Sequence, residues 1–187
     1  MSIGDIEADY DKDGDLDVYL LNNSYQAIGS FNLTKNERPK RDVLGGDKLF
    51  QNQGNHFVDV SEKAGIYGSI IGFGLGITVS DVNNDGWEDL YISNDFFERD
   101  YLYVNQKDGT FKEVVTSSIS ELSMGSMGAD IADINNDMRP DIFVTEMLPE
   151  KLNRYKSKAV FESYDKSKLN RSKGYHNQFG RNVLQYN

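Results

Sequence analysis

Asp81-Val82-Asn83-Asn84-Asp85-Gly86-Trp87-Glu88-Asp89 is the stretch whose reading decides the fold. Oxygen-bearing side chains fall at positions 1, 3, 5 and 9, and glycine stands at position 6. This is the ligand spacing of a tight calcium loop: alternate residues of a sharply turning backbone face inward, and position 7 offers its carbonyl. Glycine at position 6 tolerates a backbone conformation that a Cβ hinders. The pattern recurs at Asp9–Asp17, with Gly14 in sixth place, and at Asp133–Asp141, where Met138 replaces the glycine.

Working outward, each loop follows a strand of small residues and precedes an apolar one. Phe73–Ser80 and Met127–Ala132 are the small-residue strands. Val18–Leu21, Leu90–Ser93 and Ile142–Thr145 are the apolar ones. A third strand signature recurs as Lys48–Asn52, Tyr101–Asn105 and Asn182–Asn187. After the first two copies comes a turn and a last strand, Gln53–Val60 and Lys107–Val114, the second opened by the hairpin pair Asp108-Gly109. Four antiparallel strands in roughly 50 residues make a propeller blade. The expected fold is therefore all-β: about three four-stranded blades, spanning about residues 1–66, 67–120 and 121–187, with the third incomplete. Gln26–Arg41 breaks the first unit and is expected to be a peripheral polar loop. Residues 148–173 break the third, and their looser apolar spacing predicts one or two short helices. Three units do not close a ring, so open blade edges predict self-association or continuation within a longer protein.

Composition narrows the function. With Tyr 11, Phe 10 and Pro 3, the chain suits strands and turns. Net charge is −10, and it is unevenly placed: residues 148–187 carry 9 Lys and Arg against 3 Asp and Glu, the rest 11 against 27. An acidic body speaks against a nucleic-acid partner. The basic tail reads as a solvated surface or a site for an anionic partner. The chain has no Cys, which removes disulfides and thiol chemistry. No apolar run approaches the ~20 residues of a membrane helix. The first residues lack the profile of a signal peptide, so any leader lies outside this sequence.

At these loops the chain resembles the FG-GAP/VCBS repeat family, the calcium-loop β-propellers that include the integrin α-subunit head. Asp9–Asp17 and Asp81–Asp89 match the family loop at every ligand position; Asp133–Asp141 departs at Met138. Ser126–Asp133 and Gly174–Phe179 resemble a bacterial secreted subgroup associated with ASPIC/UnbV-type modules. The resemblance implies a secreted, periplasmic or cell-surface protein that binds a glycan or protein.

Loop spacing assigns the cation ligands. The first site takes the side chains of Asp9, Asp11, Asp13 and Asp17 with the carbonyl of Asp15. The second takes Asp81, Asn83, Asp85 and Asp89 with the carbonyl of Trp87. The third takes Asp133, Asn135, Asp137 and Asp141 with the carbonyl of Arg139. All-oxygen donors favour Ca²⁺, two to three ions in all, over zinc or copper. The competing reading is a set of Asx turns that bind nothing, because Asp and Asn also cap their own backbone. For catalysis the sequence offers little. His56 reads as a hairpin-turn residue and His176 as a packed one, and Lys173, Tyr175, His176 and Arg181 are the clustered candidates for a lyase-type enzyme. A purely structural spacer is the third alternative.

Overall fold

A computed structural model describes residues 2–25, 35–96, 98–147, 149, 151–158 and 164–187. Three antiparallel sheets follow one another along the chain. The first holds β1 (Ser2–Ala8), β2 (Asp17–Asn22), β3 (Lys48–Asn52) and β4 (Phe57–Asp59), in that order. The second repeats it with β5 (Gly74–Ser80), β6 (Asp89–Asn94), β7 (Tyr101–Asn105) and β8 (Phe111–Glu113). After the short α1 (Val115–Ser118) and β9 (Leu122–Ser123), the third begins with β10 (Ser126–Ala132) and β11 (Asp141–Glu146). Two helices, α2 (Leu152–Lys158) and α3 (Tyr164–Ser172), and β12 (Gln178–Phe179) precede its closing strand, β13 (Val183–Gln185). The protein is all-β, built of propeller-like blades with few short helices.

Each sheet carries the same irregularity. Register slips at Gly4, Gly76 and Gly128, near the start of the first strand of each blade. Such bulges raise local twist. At Gly76 the reason for glycine is a close approach between blades: an added Cβ would lie 3.1 Å from the Cα of Gly128.

The core lies between sheets, in two layers. Tyr19, Leu21 and Leu49 of the first sheet meet Leu90, Ile92, Tyr101 and Tyr103 of the second. Tyr91 and Leu102 point the other way and meet Ile142, Val144 and Val183 of the third. Strand alternation sends successive side chains to opposite faces, so a sheet sandwiched on both sides is buried throughout. Accordingly β6 is buried at every residue. The far face of the third sheet is partly exposed, at Phe143 and Leu184.

One polar motif repeats with the sheets, buried at Asp47 and Asp100 and exposed at Asn182, and sequence reading passed over it. The residues concerned are Asp47 and Asp100, each directly before the third-strand signature, and Asn182, which opens its third copy. In each blade that residue's Oδ1 accepts the backbone N–H at the end of the second strand: Asn22 at 3.0 Å, Asn94 at 2.8 Å, Glu146 at 2.7 Å. Tyr19 and Tyr91 donate their hydroxyls to Asp47 and Asp100 at 3.0 and 2.7 Å, and Ser126 donates to Asp100 at 2.7 Å. Burial pushes both carboxyls up to about 7, against the pull of these donors. Between roughly pH 4 and 7 the folded state therefore keeps protons that the unfolded chain has lost. The contribution is full below the unfolded value and disappears as pH rises through the folded one. Asp100→Asn, which copies the third blade's own Asn182, is expected to shrink the stability difference between pH 5 and pH 8 by on the order of a few kcal/mol. Urea unfolding of both proteins in saturating calcium checks it; an unchanged difference contradicts it.

The polar stretch expected at the periphery is not peripheral throughout. Residues 26–34 lie outside the described residues, but Arg38 is 5% exposed and pairs with Glu98, itself 1% exposed, at 2.5 Å. Arg41 donates to the Ile66 carbonyl at 2.6 Å. A charged residue is buried here because its partner, 60 positions away, is buried with it. A further feature without a sequence signal is the two-residue parallel pairing of β9 with β12, which ties the segment after α3 to the start of the third blade.

Candidate cation loops

Each loop connects the first and second strands of its blade, so the strands fix both ends. The ninth residue opens the second strand and is buried: Asp17 is 1% exposed, Asp89 and Asp141 0%. Its two oxygens do the same work three times. Oδ2 accepts the N–H of loop position 2, from Tyr10, Val82 and Ile134 at 3.3, 3.0 and 3.1 Å. Oδ1 accepts the N–H of the asparagine that ends the third-strand signature, from Asn52, Asn105 and Asn187 at 2.8, 2.8 and 3.0 Å. The ninth residue is thus a brace between loop and third strand. Each oxygen has a second lone pair, so bracing does not prevent it from ligating a cation.

The remaining positions also repeat. The position 1 carboxylate accepts the N–H of position 6: Asp9 from Gly14 at 3.2 Å, Asp81 from Gly86 at 2.7 Å, Asp133 from Met138 at 2.8 Å. Position 3 accepts from position 5 through Asp11, Asn83 and Asn135 at 3.3, 3.0 and 2.9 Å. Position 5 accepts from position 7 through Asp13, Asp85 and Asp137 at 3.0, 2.9 and 2.9 Å. The N–H groups that these side chains accept come from Asp15, Trp87 and Arg139, the residues whose carbonyls the spacing assigns as ligands.

Position 6 has the left-handed backbone that its glycine suggests, with φ +95° at Gly14 and +86° at Gly86. Met138 adopts it as well, at φ +67°, with its side chain 84% exposed. Position 4 is left-handed too, at Lys12 (+60°), Asn84 (+57°) and Asn136 (+61°). The two asparagines, which accept this conformation better than most residues, were the available signal. Left-handed backbone costs a side chain about 1–2 kcal/mol. Glycine at 138 removes that cost and adds about 0.5–1 kcal/mol of chain entropy. Met138→Gly is expected to raise stability by up to about 1 kcal/mol and to tighten calcium at the third loop. Calorimetric titration checks it, and weaker binding contradicts it.

The loops differ in their carboxylates. Oxygens of Asp9, Asp11 and Asp17 all lie within 4.8 Å of one another, the one such group among the described residues. Asp13 and the carboxylates of the other two loops are not drawn into such a group. The Oδ1 atom of Asp9 is shielded from solvent and has no hydrogen-bond partner, whereas Asp81 and Asp133 use Oδ1 to accept the N–H of Asp85 and Asp137 at 2.9 and 3.0 Å. Burial, with repulsion from Asp11 and Asp13, pushes Asp17 up to about 6. Asp89 rises to about 6 likewise, with Asp85 and Asp81 adding repulsion. An unpaired shielded oxygen among converging acceptor-only groups suits a hard cation, so the donor set of the first loop fits Ca²⁺.

Among the side chains weighed for catalysis, Lys173 is half-buried, and His176, Tyr175, Arg181 and His56 have other neighbours. His176 Nε2–H donates to the Ile119 carbonyl at 2.7 Å. Tyr175 is buried, with the Arg38 guanidinium 5.8 Å from its ring centre. Arg181 pairs with Glu121 and lies over Phe179. His56 is exposed in its turn beside Asn55.

Repeated four-stranded blades with an acidic turn between first and second strands define a propeller-type repeat protein. Residues 81–144, from the second loop into β11, match the FG-GAP-like repeat. Among curated proteins, the chain is similar to integrin alpha-3 of Cricetulus griseus, 31% identical over 122 residues, covering 54% of this chain and 12% of that protein. Integrin alpha-3 of Mus musculus is 33% identical over 99 residues, 46% of this chain and 9% of that protein. Integrin alpha-6 of Homo sapiens is 34% identical over 82 residues, 38% and 7% respectively. The chain spans about a tenth of the length of the curated relatives it matches. No helix among the described residues is long and apolar enough to cross a membrane.

Proposed function

We propose that this chain is a calcium-stabilised, non-enzymatic binding module of a secreted or cell-surface protein, with its blades spanning about residues 1–66, 67–120 and 121–187. The observation that carries the calcium reading is the unpartnered Asp9 Oδ1 inside the Asp9, Asp11 and Asp17 group. Asp9, Asp11, Asp13 and Asp17 hold the first ion with the Asp15 carbonyl. Asp81, Asn83, Asp85 and Asp89 hold the second with the Trp87 carbonyl. Asp133, Asn135, Asp137 and Asp141 hold the third with the Arg139 carbonyl. When bound, the ion neutralises carboxylates that otherwise repel, and it pins the turn.

Ligand binding falls at the opposite ends of the blades. The calcium loops join the first and second strands, so the connection from β2 to β3 leaves from the far end. There Tyr25, Val43 and Leu44 are exposed. An open groove of about 720 Å³ is lined by residues that include Arg41, Asp42, Val43, Lys48, Asp59 and Lys63. Mixed charge beside exposed apolar side chains suits a protein segment or a glycan. The likeness to integrin alpha chains supports a binding role over the lyase and spacer readings. The finer likeness, to the bacterial subgroup with ASPIC/UnbV-type modules, rests on residues 126–133 and 174–179 alone. Self-association through open blade edges belongs to the same reading.

A glycan and protein array, probed with and without calcium, tests it. The expected result is a ligand bound in calcium and lost on chelation. The same ligand should be lost in a Val43→Asp, Leu44→Asp double variant that keeps its melting temperature. Ligand binding indifferent to both changes contradicts the proposal.

A further inference from the structure

The loops are joined to one another. Lys12 is the fourth residue of the first loop, and its ammonium donates to the carbonyl of Gly86, the sixth residue of the second. The same nitrogen sits 4.7 Å from the ring centre of Trp87. Asn84 is the fourth residue of the second loop, and its Nδ2 donates at 3.0 Å to the carbonyl of Met138, the sixth residue of the third. Two different side chains, each held with left-handed backbone, make the same bond across successive blade junctions.

A second bond runs back across each junction. Asn105 Nδ2 donates at 2.8 Å to the carbonyl of Tyr10, and Asn187 Nδ2 donates at 2.6 Å to that of Val82. Both acceptors are position 2 of the preceding loop. The backbone N–H of Asn105 and of Asn187 is meanwhile held by the ninth residue of its own loop, Asp89 or Asp141. The first and second loops are therefore each tied forward through the fourth residue and back through the asparagine braced by the next loop's ninth.

We infer that Lys12 and Asn84 are positioning residues for the neighbouring cation site, so that adjacent loops take up calcium cooperatively. The inference rests on the calcium reading of the loops. Holding the position 6 carbonyl outward sets the peptide plane just before position 7, whose carbonyl is the assigned backbone ligand. A loop ordered by its own ion presents its fourth residue in place, and the next loop then has less to order when its ion arrives. The coupling is reciprocal, because linkage between two binding equilibria has one value in both directions. The positive charge on Lys12 acts the other way, by simple repulsion of the neighbouring ion. That effect does not depend on whether the first loop is filled, so it separates from the coupling.

Trp87 is the only tryptophan in the chain and stands in the second loop, so terbium luminescence excited at the tryptophan weights that loop most; an Asp85→Ala control subtracts emission from the first loop, whose Lys12 also meets the ring. Terbium titrations are made on the full chain with four sequences: unchanged, Asp13→Ala, Lys12→Met, and both together. Asp13 is exposed, and its loss disables the first site without touching the core. The expected result is that Asp13→Ala weakens terbium at the second loop roughly fivefold when Lys12 is present, and adds nothing when Lys12 is methionine. An equal effect of Asp13→Ala with and without Lys12, or none in either case, overturns the positioning role while leaving the calcium reading intact. Absence of sensitised emission from the unchanged protein overturns the calcium reading of the second loop and this inference with it.

Discussion

Calcium added to the chelated protein raises its melting temperature by about 5–10 °C for each site filled a hundredfold above its dissociation constant. Ligand that binds only the folded state stabilises it by RT ln(1 + [Ca²⁺]/Kd), about 2.7 kcal/mol at that excess. A chain of this size gains about 2–4 °C per kcal/mol. The structural cause is the set of repelling carboxylates. Asp17 and Asp89 are pushed up to about 6 in the absence of an ion, and Asp9 Oδ1 has no donor. The first loop, with four aspartates on ligand positions against three aspartates and one asparagine in each of the others, is expected to bind most tightly. Asp85→Ala removes the second site's share of the gain and leaves the rest. Differential scanning calorimetry measures this. A melting temperature that calcium does not move contradicts the loop assignment as a whole.

Arg38→Met costs about 3–5 kcal/mol, the usual loss when one partner is taken from a buried ion pair. Arg38 and Glu98 meet through two bonds, Nε to Oε1 at 2.5 Å and Nη2 to Oε2 at 3.3 Å. Nη1 reaches the Gly174 carbonyl at 3.4 Å, and the guanidinium packs near Tyr175. Three distant parts of the chain depend on this one group. Burial already raises the Glu98 carboxyl, and Arg38 is the chief opposing influence. Without Arg38 that carboxyl rises further, so the folded state holds a proton that the unfolded chain gives up near pH 4–5. The penalty therefore grows as pH rises, and is larger at pH 8 than at pH 5. Urea unfolding at both values tests it. A loss under about 1 kcal/mol, or one independent of pH, shows the pair to be dispensable.

The all-β architecture was legible because its signals are local and repeated. Acidic residues at fixed spacing, small-residue strands and short apolar strands each recur in the chain, so tertiary context had little to override. The fixed spacing of the loop aspartates was legible for the same reason. The bracing role of Asp17, Asp89 and Asp141 was not, because it depends on asparagines 35, 16 and 46 residues further on. Asp47 and Asp100 carry a signal in the sequence: each stands directly before the third-strand signature, in register with Asn182. Arg38 reads as loop surface because the residues around it are polar. Only the distant Glu98 makes its burial tolerable, and no local pattern announces such a pair. The junction bonds from Lys12 and Asn84 are equally silent, since their acceptors are backbone carbonyls, which any sequence supplies.

The most direct test of calcium-loaded loops is calorimetric titration of the fully chelated chain. Two to three ions are expected to bind. The stoichiometry should fall stepwise as Asp13, Asp85 and Asp137 are replaced by alanine, and no calcium binding should remain when all three are gone. A chain that takes up no calcium, or whose calcium uptake survives the triple replacement, contradicts the account.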